Sequence, residues 1–440
     1  MPDIALFTAD LRVADNPVLM AAGPDAVPLF IAEPQRGDAD SAPNQAAYLQ
    51  EALADLDHSL RALGGSLVYR EGPCVAEVAK VVGESGADRV HVAQGASASE
   101  QARIASLSRL GIPITVHSSA SVVNPTELSP RSAPYFQRFT PYFNRWKVAA
   151  RRKVLSTPRR LRNHSITGDA IPPRMSASTS PLREQAGELR ARAAFGEWLE
   201  TDSATYESSR DSLATRGTSR ISTALRFGQL SPLEVAVAAE EHGAAAFVRQ
   251  IAWRDFNHQL LFHRPDLEEV SLKPAKSPAN IEVDEQLLSL WQQGNTGYPV
   301  IDAGMRQLRE TGWMHNRSRM LTASFLTKHL GQDWRAGALW FRRWLTDADM
   351  ANNQLGWQWV AGVGVDTNPW RMFNPILQSR RHDPQGRYIR TWVPQLATAS
   401  ADEVHDPSDR TRSRLGYPSR VIEHADAVAR FKRRSSPPQA

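Results

Sequence analysis

The densest group of chemically useful side chains lies late in this sequence. It contains two acids, Asp347 and Asp349, followed by Asn353, Trp357 and Trp359. Two carboxylates this close could bind a metal, but no His or Cys accompanies them at ligand spacing, so we expect no metal site. On a helix, Asn353 and Trp357 would share a face, and Trp359 would point about 200° away from Trp357. One indole could then face a buried ligand and the other an open cavity; two core tryptophans are the alternative.

Two further helical faces combine unusual side chains. Gln250, Trp253 and Arg254 are spaced i, i+3 and i+4, which places an amide, an indole and a guanidinium together. This set suits a flat ligand with carbonyl edges, whereas a buried Trp beside a solvated Arg is the alternative. Asn316 and Met320 likewise share one face at i, i+4, and a functional and a structural reading of that face are equally supported.

A phosphate-binding segment is indicated just before a helical run. Gly217 is followed by three hydroxyl residues, Thr218, Ser219 and Ser222, and by the guanidinium of Arg220. Hydroxyls, backbone N–H groups and a helix start suit a phosphate or pyrophosphate. An ordinary capped turn is the alternative.

The elements that position these residues differ along the chain. In residues 1–125, strands are predicted at Ile4–Thr8, Val27–Ala32, Ser66–Tyr69, Val90–Val92 and Ile114–His117. Helical periodicity lies between them at Gln45–Leu63, Val75–Ser85 and Glu100–Leu110. This alternation predicts a parallel α/β sheet. The loop after the first strand has no glycine and the chain has no GxxxxGK[ST] motif, so no standard nucleotide fingerprint is present.

Charge divides the chain at the same place. Residues 1–125 carry 8 basic and 15 acidic side chains, whereas the rest carries 44 and 32, so only the later part suits nucleic acid. Residues 126–190 are rich in Pro, Ser and Arg and predict a connector with one or two docked helices. We expect its basic residues to be solvated rather than to contact DNA. Residues 191–440 predict a helical domain, in which Ser231 and Glu234 predict a capping box.

Several protein classes are excluded. No stretch reaches the roughly 18 apolar residues of a membrane span. The acidic and basic residues near Met1 leave no apolar signal-peptide core. One cysteine, Cys74, excludes an internal disulfide. We therefore expect a soluble, cytoplasmic protein without a membrane partner.

Several long motifs in one order resemble the photolyase/cryptochrome family, closest to the bacterial class I cyclobutane pyrimidine dimer photolyases. They are residues 291–299 (WQQGNTGYP), 312–320 (GWMHNRSRM) and 347–359, together with the amino-terminal Asp10-Leu11-Arg12 and Asp15-Asn16-Pro17. The resemblance covers nearly the whole chain. It implies an α/β antenna domain joined by a connector to a helical, FAD-binding domain that also binds the DNA lesion.

The resemblance also implies roles for individual residues. It places FAD contacts at Tyr206, Thr218, Ser219, Arg220, Ile221, Ser222, Arg254, Arg319, Asp347, Ala348, Asp349 and Asn353, the last of these facing flavin N5. It places DNA or the flipped-out dimer at Arg210, Gln250, Trp253, Asn316, Arg317, Met320 and Trp359. Trp357 and Trp334 match the inner members of the family's photoreduction chain.

The implied activity is light-driven repair of UV-damaged DNA by a monomer acting as a carbon–carbon lyase. Reduced FAD would pass an electron to the dimer, the dimer would split, and the electron would return. A cryptochrome-like blue-light sensor without repair is the alternative, and Gln250 is its best argument. A non-catalytic DNA-binding module is a third reading, which leaves the cluster of acids and tryptophans around residue 350 unexplained.

Three positions depart from the family pattern. Gln250 stands where dimer-repairing members usually carry Glu, so a charge-assisted hydrogen bond is lost. The (6-4) branch also carries Gln there, but it has histidines where this chain has Asn316 and Met320. Ile281 occupies the outermost tryptophan position, so the electron is expected to leave through Trp340 or Trp344, or photoreduction is expected to be weak.

The third departure concerns a second, antenna chromophore. Glu100 matches an acid that contacts folate in some members. However, the accompanying Cys-Lys pair is replaced by Glu268 and Glu269. Folate, a deazaflavin, another chromophore and an empty site therefore all stay open.

Overall fold

The structure is a computed structural model that describes residues 1–33, 42–172, 179–273, 283–365, 368 and 370–435. Ile281, the residue at the outermost tryptophan position, lies outside this part of the chain. The fold consists of an amino-terminal α/β part, a connector and a helical part. This order confirms the predicted fold class, whereas the boundaries at residues 125 and 190 remain predictions.

The α/β part is built on a parallel five-stranded sheet of order β3-β2-β1-β4-β5. Its strands are β1 (Ile4–Phe7), β2 (Val27–Ala32), β3 (Val68–Glu71), β4 (Val90–Ala93) and β5 (Ile114–His117). Its helices are α1 (Pro17–Ala22), α2 (Pro43–Ala62), α3 (Cys74–Ser85) and α4 (Ala98–Leu107). The predicted strands and helices are therefore present, and β3 begins two residues later than its periodicity suggested.

Helices cover both faces of the sheet, which explains the nearly unbroken apolar strands. Successive side chains of a strand point to opposite faces. Ala5 and Phe7 accordingly pack in the core cluster that contains Tyr48 of α2. Ile4 and Leu6 pack in the cluster that contains the α3 residues Val78 and Val81.

The connector is anchored by one short helix, α5 (Phe139–Trp146). Trp146 is fully buried, and its Nε1 donates to Oδ2 of Asp255 at 2.9 Å. The same carboxylate oxygen accepts the backbone N–H groups of Val122 at 2.9 Å and Val123 at 3.1 Å. One buried acid of the helical part therefore holds both the connector and the end of the α/β part.

The expectation that the connector's basic residues are solvated is wrong for three of them. Arg151 pairs with Glu240 at 2.9 Å, Arg183 pairs with Glu51 at 2.7 Å, and Arg152 pairs with Asp15. Each acid lies on another segment of the chain. These arginines therefore join the connector to both neighbouring parts.

The helical part extends from residue 188 to residue 435. Its helices are α6 (Glu188–Thr201), α7 (Tyr206–Ser209), α8 (Ser222–Phe227), α9 (Pro232–Glu241), α10 (Ala245–His263), α11 (Glu285–Gln293), α12 (Pro299–Thr311), α13 (Asn316–Ser324), α14 (Trp334–Trp344), α15 (Met350–Ala361), α16 (Pro375–His382), α17 (Arg387–Trp392), α18 (Asp409–Leu415) and α19 (His424–Ser435). Short 3-10 turns lie at Ser203–Thr205, Pro265–Glu268 and Pro394–Leu396, and a π-helical turn at Phe325–His329 follows α13.

The start of α9 is only partly as predicted. Ser231 is the N-cap, and its Oγ accepts from the backbone N–H of Glu234 at 3.3 Å. The reciprocal bond of a capping box is not made, because the Glu234 carboxylate pairs with Arg192 instead. A complete capping box occurs at α4, between Ser97 and Glu100.

The amino-terminal Asp10-Leu11-Arg12 motif lies at the junction of the two domains. The buried guanidinium of Arg12 donates to the carbonyl oxygens of Asp15 (2.9 Å), Gly228 (2.9 Å) and Ser119 (3.3 Å). Gly228 has φ +69°, and a Cβ there would lie 2.1 Å from the carbonyl oxygen of Ala9. The motif therefore fastens the α/β part to the end of α8.

None of the helices in the described ranges is long and apolar enough to cross a membrane.

Candidate functional site

The first turn of α15 orients Asn353. Asp349 caps this helix, and its Oδ1 accepts from the backbone N–H of Asn352 at 2.7 Å. Nδ2 of the buried Asn353 donates to the carbonyl oxygen of Ala338 at 3.1 Å and to Oε1 of Gln354 at 2.9 Å. The Ala338 carbonyl can only accept, so the amide nitrogen must lie on that side. Oδ1 of Asn353 is therefore the atom left for a ligand.

Trp357 and Trp359 point into different surroundings, as their spacing predicts. Trp357 is buried, its ring lies 4.9 Å from that of Phe341, and a Cβ on Gly337 would lie 2.2 Å from its indole. Trp359 is half-buried, and the guanidinium of Arg371 lies 5.3 Å from its ring centre. One indole is therefore part of the core, whereas the other borders solvent.

Asp347 and Arg319 form an ion pair beside α15. Arg319 Nη2 lies 2.8 Å from Asp347 Oδ2, and its Nε donates to the carbonyl oxygen of Met314 at 2.7 Å. The second carboxylate oxygen of Asp347 and Nε1 of Trp357 are both buried without a partner among the described residues. Unpartnered buried polar atoms cost free energy, so a polar ligand that bonds to them would stabilise this site. The N–H and C=O groups of a flavin ring are suited to such bonds.

The predicted phosphate segment lies against α7. A Cβ on Gly217 would lie 2.5 Å from Oγ of Ser209, so only glycine permits this approach of the two segments. Arg220 has the uncommon φ of +54°, and its guanidinium lies 4.1 Å from the ring centre of Trp313. The side chain of Arg220 therefore packs on an indole.

The other members of this set differ in exposure. Thr218 and Ser219 are half-buried, Ile221 is buried, and Ser222 is exposed at the start of α8. Tyr206, which the resemblance also assigns to the phosphates, is buried at the start of α7. The two half-buried hydroxyls are thus the best placed members to bind a phosphate.

The α10 face is half-buried, as its spacing predicts. The ring of Trp253 stacks on Phe139 with centroids 3.7 Å apart and planes 7° apart, and Gln250 lies one turn earlier. Arg254 is not solvated: its side chain is 12% exposed, and it donates to the carbonyl oxygens of Ala120 at 2.5 Å and Leu225 at 3.3 Å. On this face Trp253 therefore forms an aromatic surface, whereas Arg254 binds the backbone of two other segments.

The start of α13 has the arrangement that the sequence predicts. Nδ2 of Asn316 contacts Sδ of Met320 at 3.7 Å, so the two side chains share one face. Arg317 forms an ion pair with Asp211 at 2.6 Å. Arg210 lies over the ring of Tyr206, with 5.9 Å between guanidinium carbon and ring centre.

A cavity of about 450 Å³ lies at the carboxyl ends of β1, β2 and β4. In this strand order the connection changes direction between β1 and β4, which is the usual ligand position in a parallel sheet. Arginines from four helices line it: Arg103, Arg226, Arg254, Arg342 and Arg343. Ala348 and Asp349 also line it, so the expected FAD site and this cavity share a wall.

Glu100, which matches the folate-contacting acid, and Glu268, which replaces the Cys of the accompanying pair, are already engaged at the start of α4. Oε2 of Glu100 accepts from the backbone N–H of Ser97 at 2.9 Å and of Ala96 at 3.0 Å. Oε1 of Glu268 accepts from the backbone N–H of Ala98 at 2.7 Å. Their carboxylates therefore stabilise a helix start.

Some residues of the site were missed by sequence reasoning. Arg371 covers Trp359, Asp211 pairs with Arg317, and Phe139 stacks on Trp253. The sequence predicted one or two docked helices in the connector, which contains Phe139, but not the partner of this side chain. Arg371 and Asp211 gave no signal, because each meets its partner only in the folded chain.

Comparisons with known proteins give the family. Residues 3–159 match the profile described as DNA photolyase, and residues 247–436 match that described as FAD binding domain of DNA photolyase. The chain is 44% identical to the deoxyribodipyrimidine photo-lyase of Streptomyces griseus over 98% of each protein.

Solved structures with the same fold agree. A bacterial class III photolyase from Agrobacterium tumefaciens has a TM-score of 0.90 and 32% identity over 98% of this chain and 96% of that one. A Synechocystis cryptochrome has a TM-score of 0.88 and 25% identity over 98% and 99%. An archaeal photolyase from Sulfolobus tokodaii, solved with two FAD molecules, has a TM-score of 0.87 and 26% identity over 99% of each chain.

The match to an FAD-binding domain is consistent with the buried polar atoms of Asp347 and Trp357 that have no partner among the described residues. The order of the two matched profiles along the chain is also the order of the two domains in the structure. FAD is the cofactor of the matched carboxyl-terminal domain. The chain belongs to the DNA photolyase family.

Proposed function

We propose that this protein is a deoxyribodipyrimidine photo-lyase that splits cyclobutane pyrimidine dimers in UV-damaged DNA under blue light. The observation that carries the proposal is a set of partly exposed side chains on three helices of the FAD-binding part. They are Gln250 and Trp253 on α10, Asn316 and Met320 on α13, and Trp359 on α15. Together they offer two aromatic faces and two amides for a flat lesion with carbonyl edges.

Reduced FAD, when bound, would supply the electron that opens the dimer, and the electron would return to it. The protein's own residues position the parts. The Asp347–Arg319 pair and Asn353 Oδ1 would present polar atoms towards the flavin, while Trp253 and Trp359 would hold the flipped-out pyrimidine dimer. The experiment is illumination of the reduced protein with an oligonucleotide that carries one dimer, and its outcomes are given at the end of the Discussion.

The sensor alternative rests on Gln250 and on the likeness to a cryptochrome. Under this alternative the reduced protein binds FAD and responds to blue light but leaves dimers intact. We favour repair because Asn316 and Met320 contact each other on a partly open face of α13, and α13 packs against α15, which carries Trp359.

Replacing Gln250 with glutamate is expected to increase the rate of dimer repair. A carboxylate accepts a charge-assisted hydrogen bond that is stronger than a neutral one by about 1 kcal/mol, which corresponds to roughly fivefold. Repair yield per absorbed photon at saturating substrate measures this. Gln250→Ala is the control and should repair more slowly than the unmodified protein. Equal yields for Gln250→Glu and the unmodified protein would contradict the expectation.

Trp357→Phe is expected to slow photoreduction of oxidised FAD at least tenfold, because phenylalanine is much harder to oxidise than indole. Repair after chemical reduction should be unaffected. Flavin bleaching under blue light with an external thiol measures the rate of photoreduction. Trp334→Phe should likewise slow photoreduction and leave repair after chemical reduction unaffected. Fast photoreduction in both variants would exclude these residues as carriers.

The route by which the electron passes from the inner tryptophans to the protein surface stays a prediction. The rings of Trp340 and Trp344 lie 5.9 Å apart and contact each other, whereas Trp357 contacts Phe341 and Trp291. Trp340→Phe and Trp344→Phe therefore test a separate indole pair. Slower photoreduction in either variant would support an exit through that pair.

We further propose that the 450 Å³ cavity holds a second chromophore with an anionic group. Five arginines line it against two acids, Glu100 and Asp349, so its charge favours an anion. The carboxylates of Glu100 and Glu268 already accept backbone N–H groups at the start of α4, which argues against their binding a folate. A deazaflavin or a second flavin fits the volume, which lies within the usual range for ligand pockets.

Arg342→Glu combined with Arg343→Glu is expected to abolish binding of this chromophore and to leave FAD bound. Both arginines lie on α14 and line the cavity. Equilibrium dialysis with a deazaflavin, FMN and a reduced folate measures binding. Arg335→Glu on the same helix is the control, since Arg335 does not line the cavity. Unchanged binding in the double variant would contradict the assignment.

A further inference from the structure

Asp211 lies beside an arginine that we place at the lesion pocket. Its Oδ2 is 2.6 Å from Nη2 of Arg317, and the two side chains are 43% and 17% exposed, respectively. Burial alone would raise the pKa of Asp211, but the hydrogen bond and the charge of Arg317 outweigh it and lower the pKa. Asp211 is therefore a charged partner of Arg317 at neutral pH.

The ion pair orients Arg317 but does not engage all of the N–H donors of its guanidinium. Its Nε is buried and has no partner among the described residues, and its backbone N–H donates to Nδ1 of His315 at 3.1 Å. A guanidinium has five N–H donors, so the ion pair leaves others for an incoming acceptor. The side chain is thus held in place by the ion pair, and its remaining N–H groups other than the buried Nε are the donors left for a ligand.

The ion pair changes which acceptors Arg317 favours. A phosphate is attracted by the guanidinium and repelled by the nearby carboxylate, so its net gain is small. A neutral carbonyl oxygen interacts mainly with the nearest N–H group and suffers little repulsion. An arginine paired in this way therefore favours base carbonyl groups over the DNA backbone.

Two neighbouring groups also interact with Asp211. The guanidinium of Arg210 lies over the ring of Tyr206 and forms no ion pair within 4 Å among the described residues, and its charge makes a smaller contribution than Arg317 to lowering the pKa of Asp211. His382 lies close enough to Arg317 for that charge to contribute to lowering its pKa, although burial is the larger cause. The charge and the backbone of Asp211 act in the opposite direction and raise the pKa of His382.

We propose that Asp211 is a specificity-determining residue, which holds Arg317 for the carbonyl oxygens of a flipped-out lesion and reduces its attraction for undamaged DNA. The inference rests on the proposed repair function. It adds that part of the discrimination between damaged and undamaged DNA comes from an acid at the pocket.

The test is Asp211→Asn, which keeps the shape and removes the charge. We expect tighter binding to undamaged duplex and a steeper dependence of that binding on salt. Affinity for a dimer-containing duplex should rise less, so the ratio of the two affinities falls about fivefold. Fluorescence anisotropy with matched duplexes at several salt concentrations measures the ratio.

Two controls separate specificity from structure. Asp211→Glu restores the charge and should recover the ratio. Asp266→Asn removes the acid of another part-exposed pair, Arg264–Asp266 at 2.6 Å, and should leave the ratio unchanged. The inference is overturned if Asp211→Asn keeps the wild-type ratio, or if only its thermal stability changes. If the unmodified protein fails to repair dimers, the proposed function fails instead.

Discussion

Asp347→Ala is expected to fold but to retain almost no FAD. The Asp347 carboxylate is 2% exposed and pairs with Arg319, and its second oxygen is one of the buried atoms without a partner among the described residues. Losing a hydrogen bond from this charged oxygen to FAD costs about 3 kcal/mol, which corresponds to roughly 100-fold in affinity. The flavin absorbance of the purified protein and titration of the apoprotein with FAD measure the loss.

Asp347→Asn is the matched variant for this result. An amide preserves the size of the side chain and one hydrogen bond to Arg319 but lacks the charge. It should bind FAD with intermediate affinity. Circular dichroism should show the same helix content in all three proteins. Stoichiometric FAD in Asp347→Ala would mean that the ion pair contributes only to structure.

Arg12→Ala is expected to lower the free energy of unfolding by about 3–5 kcal/mol, because it leaves buried charges and acceptors without their partner. The acceptors belong to three chain segments, at Asp15, Ser119 and Gly228. Urea unfolding should also show two separated transitions, since the residue joins two domains. Arg61→Ala is the control, because the exposed Arg61–Asp57 pair should contribute less than about 1 kcal/mol.

The same junction predicts a loss of stability in acid. Burial alone would raise the pKa of Asp15, but hydrogen bonds from Arg152, Leu155 and Ser231 lower it overall. A carboxylate with a lowered pKa stabilises the fold at neutral pH, and this contribution disappears as the pH falls through its folded-state pKa. If Arg12 and Asp15 act together, Arg12→Ala should lose a smaller fraction of its free energy of unfolding below pH 4 than the unmodified protein does.

Local periodicity predicted much of the fold and of the site. The opposite surroundings of Trp357 and Trp359 follow from the helical angle between positions two apart, and the contact between Asn316 and Met320 follows from i, i+4 spacing. The parallel sheet follows from alternating apolar runs and helical segments. These features depend on neighbours in the sequence, which is why they could be predicted.

The remaining features depend on distant partners. Arg12 reads as part of a conspicuous motif, yet its role depends on Ser119 and Gly228, which lie 107 and 216 positions away. Ser231 has the residues of a capping box, but Arg192 from α6 takes the carboxylate of Glu234. Asp211 meets Arg317 across 106 positions. Sequence patterns identify such residues only when both partners are already known to be close.

Blue-light repair of a defined lesion tests the central claim most directly. The protein is reduced chemically and illuminated with two oligonucleotides, one carrying a cyclobutane pyrimidine dimer and the other a (6-4) product. The account predicts that the dimer is converted to its two bases only in the light and that the (6-4) product is unchanged. Intact dimers after illumination of fully reduced, DNA-bound protein would contradict the repair function and leave the sensor alternative.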